Sequence, residues 1–137
     1  MTVDSLKGKR IFLIEDNVGN RAIMQTLLEQ QNVTIGFERW GVDTVKKLQE
    51  FAPVDIILLD LMFPRGVTGY DVFDQIRAHP DFADVPIVAV SASEPSVAIP
   101  KTKSKGFAGF ISKPFDFDRF PVQILAILKH EPVWDAG

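Results

Sequence analysis

The sequence has no cysteine and only two histidines among its 137 residues. The absence of cysteine excludes a disulfide scaffold, a zinc–cysteine site, an iron–sulfur cluster and thiol catalysis. The chain also lacks an excess of positive charge, because 15 basic residues stand against 18 acidic ones. The resulting net charge of −3 argues against a nucleic-acid partner.

Long apolar runs are missing as well. No stretch approaches the roughly 18 apolar residues of a membrane-spanning helix, so we expect no membrane partner. The N-terminus lacks the apolar segment of a secretory signal, so we expect a cytoplasmic protein. What remains is a composition of 46% hydrophobic and 24% charged residues, which is typical of one globular domain of this length.

Short apolar runs alternate with helical patterns along the chain. The runs IFLI (residues 11–14), IILL (56–59) and PIVAV (86–90) are continuous, which is typical of strands buried on both faces of a parallel sheet. Residues 34–38 and 109–111 are two further strand candidates. Apolar residues recur at helical spacing in four segments between and after the strands, at 22–28, 42–48, 72–76 and 120–128.

This alternation predicts an α/β fold with a parallel sheet covered by helices on both faces. Five strands in a chain of this length predict the flavodoxin-like doubly wound architecture, with strand order 2-1-3-4-5. We expect the domain to occupy residues 10–129. Residues 1–9 would then be an N-terminal extension, and residues 130–137 a short tail with no output domain.

Three features are left open by these patterns. Pro95 and Pro100 predict a fourth helix that is short, beginning near Pro100, or partly irregular, because proline disrupts a helix interior. Trp134 lies in the predicted tail and is either a docking residue or part of a fraying tail, of which fraying is the more cautious interpretation. Trp40 follows the second strand, and is either a partner contact or a half-buried cover of the nearby edge.

Polar side chains follow the predicted strands where these end. Glu15 and Asp16 follow the first strand, Asp60 the third, Ser91 the fourth and Lys113 the fifth. In open α/β sheets, sites lie beyond the carboxyl ends of the strands, so these groups should share one cleft. Each acid alone is more often a helix cap or a solvated loop residue, but the combination is difficult to explain in that way.

Three carboxylates in one cleft predict a divalent metal. They would repel one another by a few kcal/mol at an effective dielectric of roughly 20, and Mg²⁺ relieves such repulsion with oxygen ligands. Lys113 is suited to a phosphate or a carboxylate, and Ser91 can donate to a phosphoryl oxygen. A carboxylate of the cluster could then accept a phosphoryl group as an aspartyl phosphate.

Four segments together resemble the receiver domain of two-component response regulators. They are FLIEDN (residues 12–17), LLDLMFP (58–64), VAVSA (88–92) and FISKPF (110–115), and the resemblance covers about residues 10–129. It implies that Asp60 is the phosphoryl acceptor, and that Glu15 and Asp16 hold Mg²⁺. Asp16 would bind the metal directly and Glu15 mostly through water, and the backbone carbonyl of Met62 would complete the metal site.

The resemblance also implies a switch and its partners. Ser91 matches the hydroxyl that moves toward the phosphoryl group, and Phe110 matches the switch aromatic. Lys113 matches the phosphate-binding lysine, which in the family precedes a cis proline, here Pro114. The implied donor is a histidine kinase or a histidine phosphotransfer protein. The downstream partner would be an unidentified protein, and a weak homodimer is a further candidate assembly.

Two alternatives to a phosphoacceptor switch stay open. A degenerate receiver would act as a scaffold without phosphorylation. A haloacid-dehalogenase-like phosphotransferase would also use a nucleophilic aspartate, Mg²⁺, a hydroxyl and a lysine on a similar sheet. That enzyme class needs a second acid two residues after the nucleophile, where this chain has Met62, and its nucleophile ends the first strand, whereas Asp60 ends the third.

Overall fold

A computed structural model describes residues 5–137, with the exception of the side chain of Arg65. The first four residues of the predicted N-terminal extension lie outside the described residues. Residues 5–137 contain six strands: β1 (Arg10–Ile14), β2 (Thr34–Glu38), β3 (Ile56–Leu59), β4 (Ile87–Ser91), β5 (Gly109–Ser112) and β6 (Val133–Asp135). The α-helices are α1 (Val18–Glu29), α2 (Thr44–Phe51), α3 (Gly69–Arg77), α4 (Pro95–Lys105) and α5 (Arg119–Leu128).

The strands form one parallel sheet in the order β2-β1-β3-β4-β5-β6. The predicted fold class and the order of its five strands are therefore confirmed. Strands β1, β3, β4 and most of β5 are buried along their length, because helices cover both faces of the sheet. The reversal of strand order between β1 and β3 creates the crevice expected of a doubly wound sheet.

The core divides into two layers, one on each face of the sheet. Alternate residues of a strand point to opposite faces, and so neighbours in β1 enter different layers. One layer contains Phe12, Ile57, Phe73 and Phe110, and the other contains Ile11, Leu58, Ile111 and Phe120. Leu6 also belongs to the second layer, so part of the N-terminal extension packs on the domain.

The sixth strand was not predicted, and the expectation of a fraying tail around Trp134 is wrong. Trp134 pairs in register with Phe110 at the edge of the sheet. Side chains hold the strand in place, because Asp135 accepts a hydrogen bond of 2.6 Å from Gln123 and forms an ion pair of 3.1 Å with Arg119. The strand therefore belongs to the folded domain, although it contains only three residues.

The fourth helix is also longer than predicted. It begins at Pro95, a first-turn position where the missing N–H is not needed, and it continues through Pro100. The interior proline is tolerated because Ala98 and Thr102 are buried against the domain. Tertiary packing therefore overrides the local preference. None of the helices within residues 5–137 combines the length and hydropathy needed for a membrane crossing.

Candidate functional site

The residues predicted to share a cleft lie together at the carboxyl edge of the sheet. Backbone hydrogen bonds continue past the strand ends and fix their spacing: Asp60 N–H donates to the Ile14 carbonyl at 3.0 Å. On the other side, Lys113 N–H donates to the Ser91 carbonyl at 2.9 Å. The side chains that follow β1, β3 and β5 are thus held by the rigid sheet, where positional precision is greatest.

Three carboxylates form the centre of this site. Oxygen atoms of Glu15, Asp16 and Asp60 all lie within 4.8 Å of one another. Glu15 is 1% exposed and Asp60 is 8% exposed, whereas Asp16 is partly open to solvent. Three hard anionic oxygen donors at this spacing fit Mg²⁺, which takes one or two carboxylates and keeps other positions for water and phosphate oxygens.

Lys113 neutralises part of this negative charge. Its ammonium group donates to Glu15 Oε1 in a short contact and lies 3.2 Å from Asp60 Oδ2. Burial nevertheless raises the pKa of Glu15 from 4.5 to about 7; the Lys113 charge opposes this rise and the Asp60 carboxylate adds to it. The site therefore favours a second cation or a proton beside the ammonium group.

The carboxylate of Asp60 is oriented by the backbone that follows it. Its Oδ1 accepts hydrogen bonds from the N–H groups of Leu61, at 2.7 Å, and Met62, at 3.3 Å. Its Oδ2 is the oxygen that faces Lys113. The two oxygens are thus held in different environments, and the orientation of the carboxylate is fixed before any ligand arrives.

Ser91 ends β4 and Phe110 lies within β5, and both are fully buried. The Ser91 hydroxyl lies 2.9 Å from the Ser93 hydroxyl and accepts from the Ser93 N–H at 3.2 Å. In this state it is engaged with the loop after β4 and not with Asp60. The Phe110 ring packs in the core layer that also contains Phe12. The peptide bond between Lys113 and Pro114 is cis.

The sequence analysis did not predict the roles of two residues near the cleft. Glu38 is a buried acid, 3% exposed, at the carboxyl end of β2, and so its position in its strand resembles that of the acids in the cleft. Its carboxylate stabilises the loop between β2 and α2, because it accepts hydrogen bonds from the Val42 N–H at 2.9 Å and from the Thr44 hydroxyl. Gly69 begins α3 against the peptide of Asp60, where any Cβ would collide with the Asp60 carbonyl oxygen. No feature of the sequence distinguishes this glycine from others.

The doubly wound sheet, the acidic cluster and the lysine opposite define a receiver-type site. Residues 11–125 match the family model described as the response regulator receiver domain. The chain belongs to this family, which consists of signalling domains of two-component systems and not of classical enzymes. The haloacid-dehalogenase alternative is therefore set aside, in agreement with the position of Asp60 after β3.

Several known proteins are similar to this chain. The peroxide stress-activated histidine kinase mak1 of Schizosaccharomyces pombe is 29% identical over 90% of this chain, which spans only 8% of that protein. The polar-differentiation response regulator DivK of Brucella ovis is 27% identical over 82% of this chain and 89% of its own length.

A solved structure extends the comparison to three dimensions. It is the receiver domain of sensor histidine kinase PA1611 from Pseudomonas aeruginosa, with a magnesium ion coordinated in its active-site cleft. That domain is 27% identical to this chain, with a TM-score of 0.74 over 87% of this chain and 95% of that chain. The shared fold agrees with the family assigned by the match of residues 11–125.

Proposed function

We propose that this chain is a phosphoacceptor switch that receives a phosphoryl group on Asp60. The donor is the phosphohistidine of a histidine kinase or a histidine phosphotransfer protein. One observation carries the proposal: a buried carboxylate with one oxygen fixed by backbone N–H groups has its other oxygen 3.2 Å from an ammonium group. Such a nucleophile is oriented and charge-compensated before its substrate arrives.

The transfer balances as a simple displacement. An oxygen of the Asp60 carboxylate forms the new O–P bond while the N–P bond of the phosphohistidine breaks. The electron pair of that bond remains on the imidazole nitrogen, which then takes up a proton. The ammonium group of Lys113, now shared between Glu15 and Asp60, lies where it can bind a phosphoryl oxygen. If the ammonium group moves to that phosphoryl oxygen, its hydrogen bond with Glu15 is broken.

Magnesium supports this reaction in our proposal. Asp16, Asp60 and the backbone carbonyl of Met62 would hold it directly, and Glu15 would hold it mostly through water. When bound, Mg²⁺ would neutralise charge on the transferring phosphoryl oxygens. The donor set of three clustered carboxylates supports this assignment, as does the magnesium ion coordinated in the PA1611 receiver domain.

The signal would leave the cleft through Ser91 and Phe110. Phosphorylation adds a charge of about −1.5 to −2 and three acceptor oxygens. To follow that charge, the Ser91 hydroxyl must exchange its present contact with Ser93 for a phosphoryl oxygen. This movement changes the space in front of Phe110, and with it the surface formed by residues 97–106, β5 and α5. Output would then be an altered affinity for another protein.

Phosphoramidate labelling tests the acceptor. We expect one phosphoryl group per chain in the presence of phosphoramidate and Mg²⁺, with the lability of an acyl phosphate. Asp60→Asn should abolish the label, because a neutral amide is a far weaker nucleophile. Asp81→Asn, which changes an exposed carboxylate in a surface turn, is the matched control and should label normally. Undiminished labelling of Asp60→Asn would refute the assignment, and an unlabelled wild type would favour the scaffold alternative.

A further inference from the structure

Exposed apolar side chains collect beside the acidic cleft. Trp40 is 43% exposed and Val42 is 64% exposed, and both lie in the loop between β2 and α2. Together with Pro64 and Val67 they line a groove of about 400 Å³ that we call the Trp40 groove. The guanidinium of Arg39 covers one side of the indole at 4.4 Å from the ring centroid. The groove is therefore apolar in its lining and open to solvent.

The loop that presents these side chains is held firmly. The buried Glu38 carboxylate accepts hydrogen bonds from the Val42 N–H and from the Thr44 hydroxyl. Gly41 has a positive φ of 72°, and a Cβ built on it would lie 2.9 Å from the Val72 side chain of α3. The loop thus packs closely on its neighbour. Its apolar side chains are exposed by a fixed backbone, which lowers the entropic cost of binding.

The groove lies within reach of any protein that touches Asp60. Pro64 is four residues further along the chain, which spans at most about 14 Å when extended. Val67 is brought back by a 3.2 Å hydrogen bond from the Phe63 N–H to its carbonyl, and it lies against Gly41. A typical protein contact of about 800 Å² per partner has a radius of about 16 Å. A contact of this size centred on Asp60 therefore covers the Trp40 groove.

We infer that the Trp40 groove docks an apolar side chain of the phosphohistidine-bearing donor protein. The inference rests on the proposed function, because only a donor protein must cover the surface around Asp60. Asp60 is 8% exposed, so a donor histidine has to enter the cleft while its surroundings contact the rim. An apolar side chain that fills such a groove becomes shielded from water, and a few contacts of this kind supply much of the binding energy of a protein interface. A small phosphodonor needs no such contact.

Two matched substitutions test this inference. Val42→Asp places a carboxylate in the groove, where Val42 is 64% exposed. Ala83→Asp places one at an exposed position in the turn before β4, at the opposite edge of the sheet from Asp60. Each variant is phosphorylated with phosphoramidate and Mg²⁺. Each is also incubated with purified, autophosphorylated histidine kinases and phosphotransfer proteins encoded with this chain, using the one that labels the wild type fastest. Urea unfolding verifies that both variants are folded.

The expected result separates the two donors. Phosphoramidate should label the wild type and both variants at the same rate. Val42→Asp alone should lose at least about tenfold in kcat/KM with the protein donor, which corresponds to about 1.4 kcal/mol. Equal transfer to both variants, or an equal loss in both, would overturn the inference. So would a wild type labelled by phosphoramidate and by none of the protein donors. Absence of phosphoramidate labelling in the wild type would instead contradict the proposed function.

Discussion

The buried Glu15 carboxylate predicts an unusual dependence of stability on pH in the metal-free protein. Burial raises the pKa of Glu15 from 4.5 to about 7 in the folded state, and the Lys113 ammonium group only partly opposes this effect. Between these two values the folded state holds a proton that the unfolded state has lost. The free energy of unfolding should therefore fall as the pH rises from about 4.5 to about 7, because deprotonation favours the unfolded chain.

The size of this effect follows from the same values. Each tenfold difference in proton affinity corresponds to about 1.36 kcal/mol, so the difference between 4.5 and about 7 amounts to about 3 kcal/mol. Glutamine is isosteric and carries no charge at either pH. Glu15→Gln should therefore lack this loss, and Lys113 keeps Asp60 as its partner in the variant.

Urea unfolding in the presence of EDTA, at pH 5 and at pH 8, measures the difference. We expect the wild-type midpoint to fall by about 1–3 M relative to that of Glu15→Gln, since m-values of small domains are about 1–3 kcal/mol/M. Glu29→Gln changes an exposed glutamate at the end of α1 and should follow the wild type. Parallel pH dependence of wild type and Glu15→Gln would refute the reasoning.

Two further predictions concern the metal and the added strand. Mg²⁺ at 100 times its dissociation constant should stabilise the wild type by about 2.7 kcal/mol, and Asp16→Asn much less; equal shifts in melting temperature would place the cation elsewhere. Trp134→Ala removes a half-buried ring that packs on the core and lies 5.0 Å from the Lys103 ammonium. It should lower the free energy of unfolding by about 2 kcal/mol, and an unchanged urea midpoint would show that β6 adds no stability.

The central strands could be predicted because a strand buried on both faces has a continuous run of apolar residues. A strand such as Ile56–Leu59 has apolar residues at every position, since helices cover both sides of it. The strand Val133–Asp135 has no such apolar run, because it contains only three residues and lies at the edge of the sheet. Its position depends on the contacts of Asp135 with Gln123 and Arg119, which no local pattern reveals.

The length of the fourth helix was predicted wrongly for a different reason: a local sequence signal was present, but it was misleading. The rule that proline disrupts a helix interior is local, and Pro100 breaks it because Ala98 and Thr102 are buried by the rest of the domain. Packing contributes more to the stability of a helix in a protein than the preferences of single residues do. A prediction made from local preference alone therefore shortens this helix.

The sequence predicts which residues converge at the site better than it predicts which hydrogen bonds they form. The carboxyl ends of parallel strands must meet at one edge, and so the convergence of Glu15, Asp60 and Lys113 follows from their positions after strands. Which partner each side chain takes depends on angles that strand order does not determine. Glu38 obeys the same positional rule and yet binds its own loop, and Ser91 is engaged with Ser93.

The added strand bears directly on the proposed route of signalling. Residues that are paired in register across parallel strands have their side chains on the same face of the sheet. Phe110 and Trp134 are such a pair, and both contribute to the same core layer. A rearrangement of Phe110 in response to Ser91 would therefore meet the indole ring beside it before it met solvent. Because Lys103 of α4 lies over that ring, we expect the proposed output surface to include β6 in addition to residues 97–106, β5 and α5.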